Sequence, residues 1–152
     1  MTGFEPQSAG WEARVRDSFA RQGIMKTLGA ELTRVEPGAV EIAAGFRPGL
    51  TQQHGYFHAG VTATLADSAG GYAGFTLMPD DASVLTVEFK LNLLAPADGR
   101  RLIARGRVIK PGRTLVVTQA EIFVEREGAE RLCATMLQTL MTMRGRADGP
   151  GG

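Results

Sequence analysis

Hydrophobic positions recur along the chain with two periods, and the switches between them lay out the elements. Trp11, Val15 and Phe19 stand at i, i+4 and i+8 with charges between them, which predicts a short amphipathic helix ending near Gly23. Residues 30–35 and 40–46 flank Glu36-Pro37-Gly38, a hairpin by spacing and turn chemistry. A Pro/Gly-rich loop over 47–55 leads into a weakly charged stretch, 58–79, that predicts one long helix. From Val84 the period becomes two. Leu85, Val87, Phe89, Leu91 and Leu93 fall on one side and Thr86, Glu88, Lys90 and Asn92 on the other, predicting a long strand with its apolar side on a core. After a break at 96–99, segments 102–110 and 114–125 flank Pro111-Gly112, and 131–143 follows Gly128-Ala129.

Six strands and one principal helix predict an α+β fold in which a curved antiparallel sheet wraps the helix, because nothing else is available to cover it. Gly60, Ala63, Asp67, Gly70 and Gly74 form a stripe of small residues along that helix. Such a stripe either lets another backbone approach closely or leaves a groove for a ligand. The expectation is a single domain over 1–152, with its core over about 28–143 and a Gly/Arg/Pro-rich tail, 144–152, that frays.

Composition narrows the function classes. Seventeen Lys and Arg against sixteen Asp and Glu give a net charge of +1, no footprint for duplex nucleic acid. The single cysteine, Cys133, excludes an intrachain disulfide, and two histidines, His54 and His58, make a poor zinc site. Residues 1–10 have no basic and apolar regions of a leader, and Asp67 argues against a membrane span over 58–79. A cytoplasmic protein with no membrane partner is expected.

Asp67 is the residue that needs explaining, since it lies in mid-helix among Val61, Leu65, Ala66, Ala69 and Ala73. One reading is a carboxylate that faces water or pairs with a base; the other is a carboxylate held in a low-polarity groove, ready as base or nucleophile. The second feature is the helix start, Gln52-Gln53-His54-Gly55-Tyr56-Phe57-His58-Ala59-Gly60. The first helical amides lack intrahelical acceptors and carry the positive end of the macrodipole, which suits a developing oxyanion. His58 reads best as a helix-entry residue bonded to backbone, with acid–base chemistry as the alternative.

These residues match a family. The run from His58 to Ala69, HAGVTATLADSA, resembles the "HGG…LAD.A" helix of hotdog-fold acyl-CoA thioesterases, closest to the phenylacetate-pathway (PaaI-like) branch. LTVEFKLNLLAP, from Leu85 to Pro96, resembles that branch's "T.E.K.NFL.PA" strand, and Val108 to Arg113 its "V…GR" turn. The resemblance spans about 28–143 and implies a hotdog fold: one long helix wrapped by a six-stranded curved antiparallel sheet, with a short N-terminal helix. By position it implies that Asp67 is the catalytic acid residue. The Ala59 N–H is the oxyanion donor, supported by Gly60. Gln52 replaces an Asn that positions thioester or water, and Thr86 sits near the attacking water. Gln53 and His54 stand ready to take the role of Gln52, and His58 and Tyr56 complete the substrate contacts. Ala59 departs from the family's Gly, and no histidine follows Asp67, which argues against the hydratase branches.

Ala59 and Asp67 are eight residues apart, about 12 Å along a helix axis at 1.5 Å per residue. A thioester carbon needs both groups within about 3–3.5 Å, so one helix cannot supply both. The expected site is shared across a homodimer, which the resemblance often pairs again into a homotetramer, with strand 85–94 or its neighbour as the seam. Expected chemistry is hydrolysis of an aryl- or medium-chain acyl-CoA without metal or cofactor. Tyr56, Phe57, Tyr72 and Phe75 are candidates for the acyl pocket. Lys110 and Arg113 are candidates for the CoA phosphates, with Arg100 and Arg101 behind them. The alternative is a non-catalytic acyl-CoA-binding hotdog protein.

Overall fold

A computed structural model describes residues 3–152. The N-terminal segment forms α1 (Trp11–Arg21) and α2 (Gly23–Leu28), followed by the hairpin β1 (Ala30–Glu36) and β2 (Ala39–Gly45). A 3₁₀ turn at Pro48–Leu50 leads to α3 (Ala59–Phe75), and the chain finishes with β3 (Ala82–Leu93), β4 (Arg101–Lys110), β5 (Leu115–Arg126) and β6 (Ala129–Arg144). All pairings are antiparallel and the six strands run in the order β1-β2-β4-β5-β6-β3. The sheet wraps α3, the hotdog architecture that the pattern and the resemblance anticipated. Among the described residues, no helix is long and apolar enough to cross a membrane.

The small residues of α3 are divided between two tasks. Gly70 and Gly74 face the sheet: a Cβ on Gly70 would lie 2.1 Å from Gln138 Oε1, and one on Gly74 2.4 Å from Leu140 Cδ1. From the other side, a Cβ on Gly106 of β4 would lie 2.3 Å from the Ala69 carbonyl. Here the helix touches the sheet almost backbone to backbone, so this part of the stripe serves close approach. Gly71 is different, with nothing within 4 Å of where its Cβ would stand. At the helix's C-terminal end the Arg14 guanidinium of α1 donates to the carbonyls of Pro79, Met78 and Phe75 at 2.6, 2.7 and 3.3 Å and lies 4.4 Å over the Phe75 ring. This cation gathers three carbonyls at and just beyond the end of α3 and ties α1 to that end.

Three sequence expectations need correction or extension. The first helix ends at Arg21, close to the expected Gly23, but a second helix that the spacing did not predict follows at once. Gln22 is extended (φ −75°, ψ 103°) and Gly23 opens a second helix that buries Met25 and Leu28 and stops at a left-handed Gly29. Second, Leu85, Val87, Phe89, Leu91 and Leu93 do not share a face on a core. β3 is an edge strand, and its register shifts between Thr86 and Glu88. Opposite residues in an antiparallel pair share a face. Before the bulge, Val84 and Thr86 match Thr142 and Leu140 on the helix side; after it, Phe89 and Leu91 match Gln138 and Met136 on that same side. One extra residue has inverted the alternation. Leu85 is left outside with Met141, and Leu85, Val87, Phe89 and Leu93 are 45–58% exposed. Third, Arg100 and Arg101 do not stand behind Lys110 and Arg113. Arg101 and Lys110 begin and end β4, about 30 Å apart at 3.3 Å per residue.

The tail is held at two places: Gly145 N–H donates to the Asp81 carbonyl at 2.8 Å, and the Arg21 guanidinium donates to the Asp148 carbonyl and Oδ2 at 2.6 and 2.7 Å.

Candidate active site

The Asp67 carboxylate is only partly buried, yet it sits in a built hydrogen-bond network. Thr86 Oγ1, on the helix side of β3 just ahead of the bulge, donates to Asp67 Oδ1 at 2.7 Å. Gln138 Nε2, from β6, donates to the same oxygen at 2.5 Å and also reaches the Asp67 carbonyl and Thr86 Oγ1, each at 3.1 Å. Gln138 Oε1 in turn accepts from Thr118 Oγ1 at 2.8 Å. Both Gln138 and Thr118 are fully buried. The amide is therefore fixed from behind by a hydroxyl and presents its N–H groups to a carboxylate. Charge-assisted bonds of this kind are the strong ones, and they hold Asp67 through Oδ1, while among the described residues Oδ2 takes no hydrogen bond.

Gln138 escaped the sequence reading, although the signal existed. It interrupts an inward row, Met136, Leu140 and their neighbours, that is otherwise apolar, and a lone amide in such a row must have a partner. Thr118 does the same between Val116 and Ala120.

Asp67 opens on a cavity of about 290 Å³ that it lines with Ser18, Gln22, Ser68, Tyr72 and Thr86. Ala59 opens on a different one, of about 400 Å³, lined by Gln52, Tyr56, Phe57, Thr62, Leu93 and Cys133 among others. Thus one protomer divides the expected site residues between two cavities near opposite halves of α3. Burial pushes the Cys133 thiol up to about 11, so the second cavity holds no thiolate nucleophile near neutrality.

The helix entry is more specialised than its sequence indicated. His58 is the N-cap, extended at φ −65° and ψ 142°, and its Nδ1 accepts from Gly60 N–H at 2.8 Å. The Gly60 amide is thereby consumed as a cap. Ala59 opens the helix, and its N–H has no acceptor within α3. Gln52 Oε1 accepts from the amides of His54 and Tyr56 at 2.5 and 3.4 Å, which folds the preceding loop on itself. Gln53 and His54 are exposed on that loop, with the His54 ring 6.3 Å from that of Tyr56.

The remaining candidates lie elsewhere. Phe75 is wholly buried in the core and Tyr72 nearly so, but the Tyr72 hydroxyl reaches the Asp67 cavity. Lys110 and Arg113 are exposed at the β4–β5 turn, and among the described residues neither pairs with a carboxylate. That turn adjoins the start of β3: Thr142 N–H donates to Thr114 O at 2.8 Å and Thr142 is matched with Val84.

A partly exposed carboxylate braced by an amide and a hydroxyl on one half of α3, and a helix-start amide without an intrahelical acceptor on the other, make up the candidate site. The profile of the Thioesterase superfamily matches residues 54–130, about half of the chain and all of α3, and the chain belongs to that superfamily. Acyl-CoA thioester hydrolysis is the activity that membership brings. The chain is 53% identical to a thioesterase family protein of Silicibacter pomeroyi, whose crystal structure matches with a TM-score of 0.88 over 90% of this chain and 100% of that one. It is 28% identical, over 69% of its own length and 85% of the relative's, to the 1,4-dihydroxy-2-naphthoyl-CoA hydrolase of Listeria monocytogenes. The E. coli PaaI protein from the phenylacetic acid degradation operon, 18% identical, shares the fold at a TM-score of 0.81 over 91% of this chain and 97% of its own.

Proposed function

We propose that this chain hydrolyses an aryl- or medium-chain acyl-CoA at a site shared by two subunits. Asp67 and Thr86 of one subunit face the Ala59 N–H and Gln52 of the other. The observation that carries the reading is the division of these residues between two cavities of one protomer, along a helix that runs unbroken from Ala59 to Phe75. Neither cavity holds both the carboxylate and the oxyanion donor.

The free edge of β3 offers a seam. It is twelve residues long, unpaired on one side and carries exposed Val87, Phe89 and Leu93, which a lone protomer would leave as a template for association. Thr86 lies in its first half, and Leu93 at its end lines the Ala59 cavity. Antiparallel pairing of β3 with its two-fold copy exchanges these ends, so one subunit's Asp67 meets the other's Ala59. The same rotation carries the Lys110–Arg113 turn of one subunit toward the other's Ala59 cavity, where cations favour CoA phosphates.

In this arrangement Asp67 acts on the thioester carbonyl either as general base for water or as nucleophile through an anhydride that water then opens. The Ala59 amide and the helix dipole stabilise the tetrahedral oxyanion, and CoA leaves as the thiol. The relative in Listeria, named for an aromatic acyl-CoA, supports the aryl option. No cofactor enters the scheme.

The test pairs two inactive chains. Asp67→Asn removes the carboxylate, with an expected kcat loss of about 10²–10⁴-fold. Ala59→Pro removes the amide at a first-turn position where proline is tolerated and where His58 already has pre-proline dihedrals. In a heterodimer one site inherits both lesions and the other neither, so co-refolded mixtures recover up to about half the wild-type activity per heterodimer. Heterodimers seen by native mass spectrometry that stay as inactive as their parents would overturn the shared site.

A further inference from the structure

The segment that follows β6 spans the gap between α1 and the start of β3. Its Gly145 N–H is bonded to the Asp81 carbonyl, one residue ahead of β3. Three residues on, the Asp148 carbonyl and Oδ2 both accept from the Arg21 guanidinium at the end of α1. Residues 145–148 are thus a strap with an anchor at each end. Arg146, Ala147 and Gly149 are exposed, whereas the Asp148 side chain turns inward and is only 25% exposed.

Beneath the strap, α1 and β3 enclose a trench that Asp148 divides. On one side is the Asp67 cavity of about 290 Å³, to which β3 contributes Val84, Leu85 and Thr86. On the other is a cavity of about 550 Å³ that takes Arg14, Asp17 and Arg21 from α1, with Asp80, Asp81 and Ala82 at the start of β3. Among the described residues Asp148 alone lines both. The division falls at the end distant from the reacting carboxylate. Tyr72 lies about 7.5 Å beyond Asp67 along α3, and nothing stands within 4 Å of the Gly71 Cβ position between them. Burial pushes the Tyr72 phenol up and the Asp148 carboxylate pushes it the same way, which agrees with Asp148 standing at the Tyr72 end. Past Asp148 the trench is charged and the strap over it is exposed, so this residue also marks where an apolar group would leave its shelter.

We infer that Asp148, latched by Arg21, is the end wall of the acyl chamber and limits the length of the acyl group that the enzyme takes. This rests on the thioesterase reading above and deepens it. CoA occupies the Ala59 side of that site, so the acyl group runs from Asp67 toward Tyr72, and one too long for the cavity has to displace the strap. An exposed ion pair is a weak bond by itself, and the limit therefore depends on both anchors of the strap together.

The purified protein is assayed with hexanoyl-CoA and decanoyl-CoA. For the wild type, kcat/KM for the shorter ester should exceed that for the longer by about 10–100-fold. Arg21→Asp and Asp148→Arg each set like charges against one another and open the latch, so the decanoyl-to-hexanoyl ratio should rise roughly 3–10-fold in either. The double variant rebuilds the pair with its sense reversed and should bring the ratio back toward the wild-type value, which independent structural damage at the two positions would not do. A thermal-unfolding scan reports whether each variant is folded. A chain that stops after Gly145 serves where one is not, and its ratio should rise further because the wall is gone. Equal kcat/KM for the two esters in the wild type would overturn the inference and leave the thioesterase reading standing. An unchanged ratio in the unlatched variants and the shortened chain would overturn it too, reducing the strap to a tie between α1 and β3. Failure of every form to hydrolyse either ester would overturn the activity on these acyl-CoAs and the inference with it.

Discussion

Removing the Gln138 amide is the sharpest perturbation of this site that leaves its carboxylate in place. Gln138→Leu keeps the volume roughly constant and deletes the donor to Asp67 Oδ1 at 2.5 Å and the acceptor for Thr118 at 2.8 Å. Two separate losses follow. Thr118, fully buried, is left with an unpaired hydroxyl, which costs about 1–3 kcal/mol of stability. For a chain of this length that lowers Tm by roughly 2–12 °C. Asp67 loses a hydrogen bond to a charged group, worth about 1.5–3 kcal/mol, and if its orientation matters as much in the transition state kcat falls roughly 10–150-fold. The double variant Gln138→Leu with Thr118→Val separates the two effects. It removes the orphaned hydroxyl and should recover much of the Tm without recovering kcat. Gln138→Glu adds a pH readout. A second carboxylate beside Asp67 disfavours ionisation of the pair, so the acid limb of kcat/KM should move to higher pH, the direction required if ionised Asp67 is the active form. Steady-state assays with an acyl-CoA across pH, alongside thermal unfolding, read all three. A Gln138→Leu protein that is destabilised but keeps wild-type kcat, with an unmoved acid limb in Gln138→Glu, would show that Gln138 only packs the core.

Three further substitutions probe the CoA end and the helix–sheet contact. Arg113→Glu should raise KM for a CoA ester more than it lowers kcat, because phosphates lie far from the reacting carbon; a pantetheine ester of the same acyl group should show no such change. Equal effects on both esters would remove Arg113 from the nucleotide end. Gly106→Ala drives a methyl to within 2.3 Å of the Ala69 backbone and should destabilise by about 1–3 kcal/mol or more, whereas Gly71→Ala meets open space and should stabilise α3 by up to about 1 kcal/mol. Comparison of their Tm values checks both, and similar shifts would contradict the division of the small residues into two tasks.

The element order, the hairpin turns and the wrapped helix were legible because they rest on local periodicity and turn chemistry, which the tertiary structure did not override. Asp67 was legible for a different reason: a charge in an apolar helix is conspicuous. Gln138 was not, because its significance depends on β6 lying beside β3 and beneath α3, neighbours that no local pattern reveals. The direction of the β3 side chains was misread because a bulge leaves the sequence alternation intact and changes only the backbone beneath it. The particular amide that His58 Nδ1 caps at the helix entry, that of Gly60, was not legible either, because it depends on the side-chain rotamer there rather than on any local pattern.

The bulge in β3 makes parity a functional quantity. Counting along the strand, even positions before it and odd positions after it point the same way, so Val87 is the single unit that keeps two requirements in phase: Thr86 directed at Asp67, and Phe89 and Leu91 on the helix side. Deleting Val87 would leave every other residue type in place yet restore strict alternation, and one half of the strand would then have to present its opposite side. Substitutions can accumulate on either side of that point without penalty to the other. A change in length there cannot, and this short stretch is where an insertion or deletion of one residue would cost most.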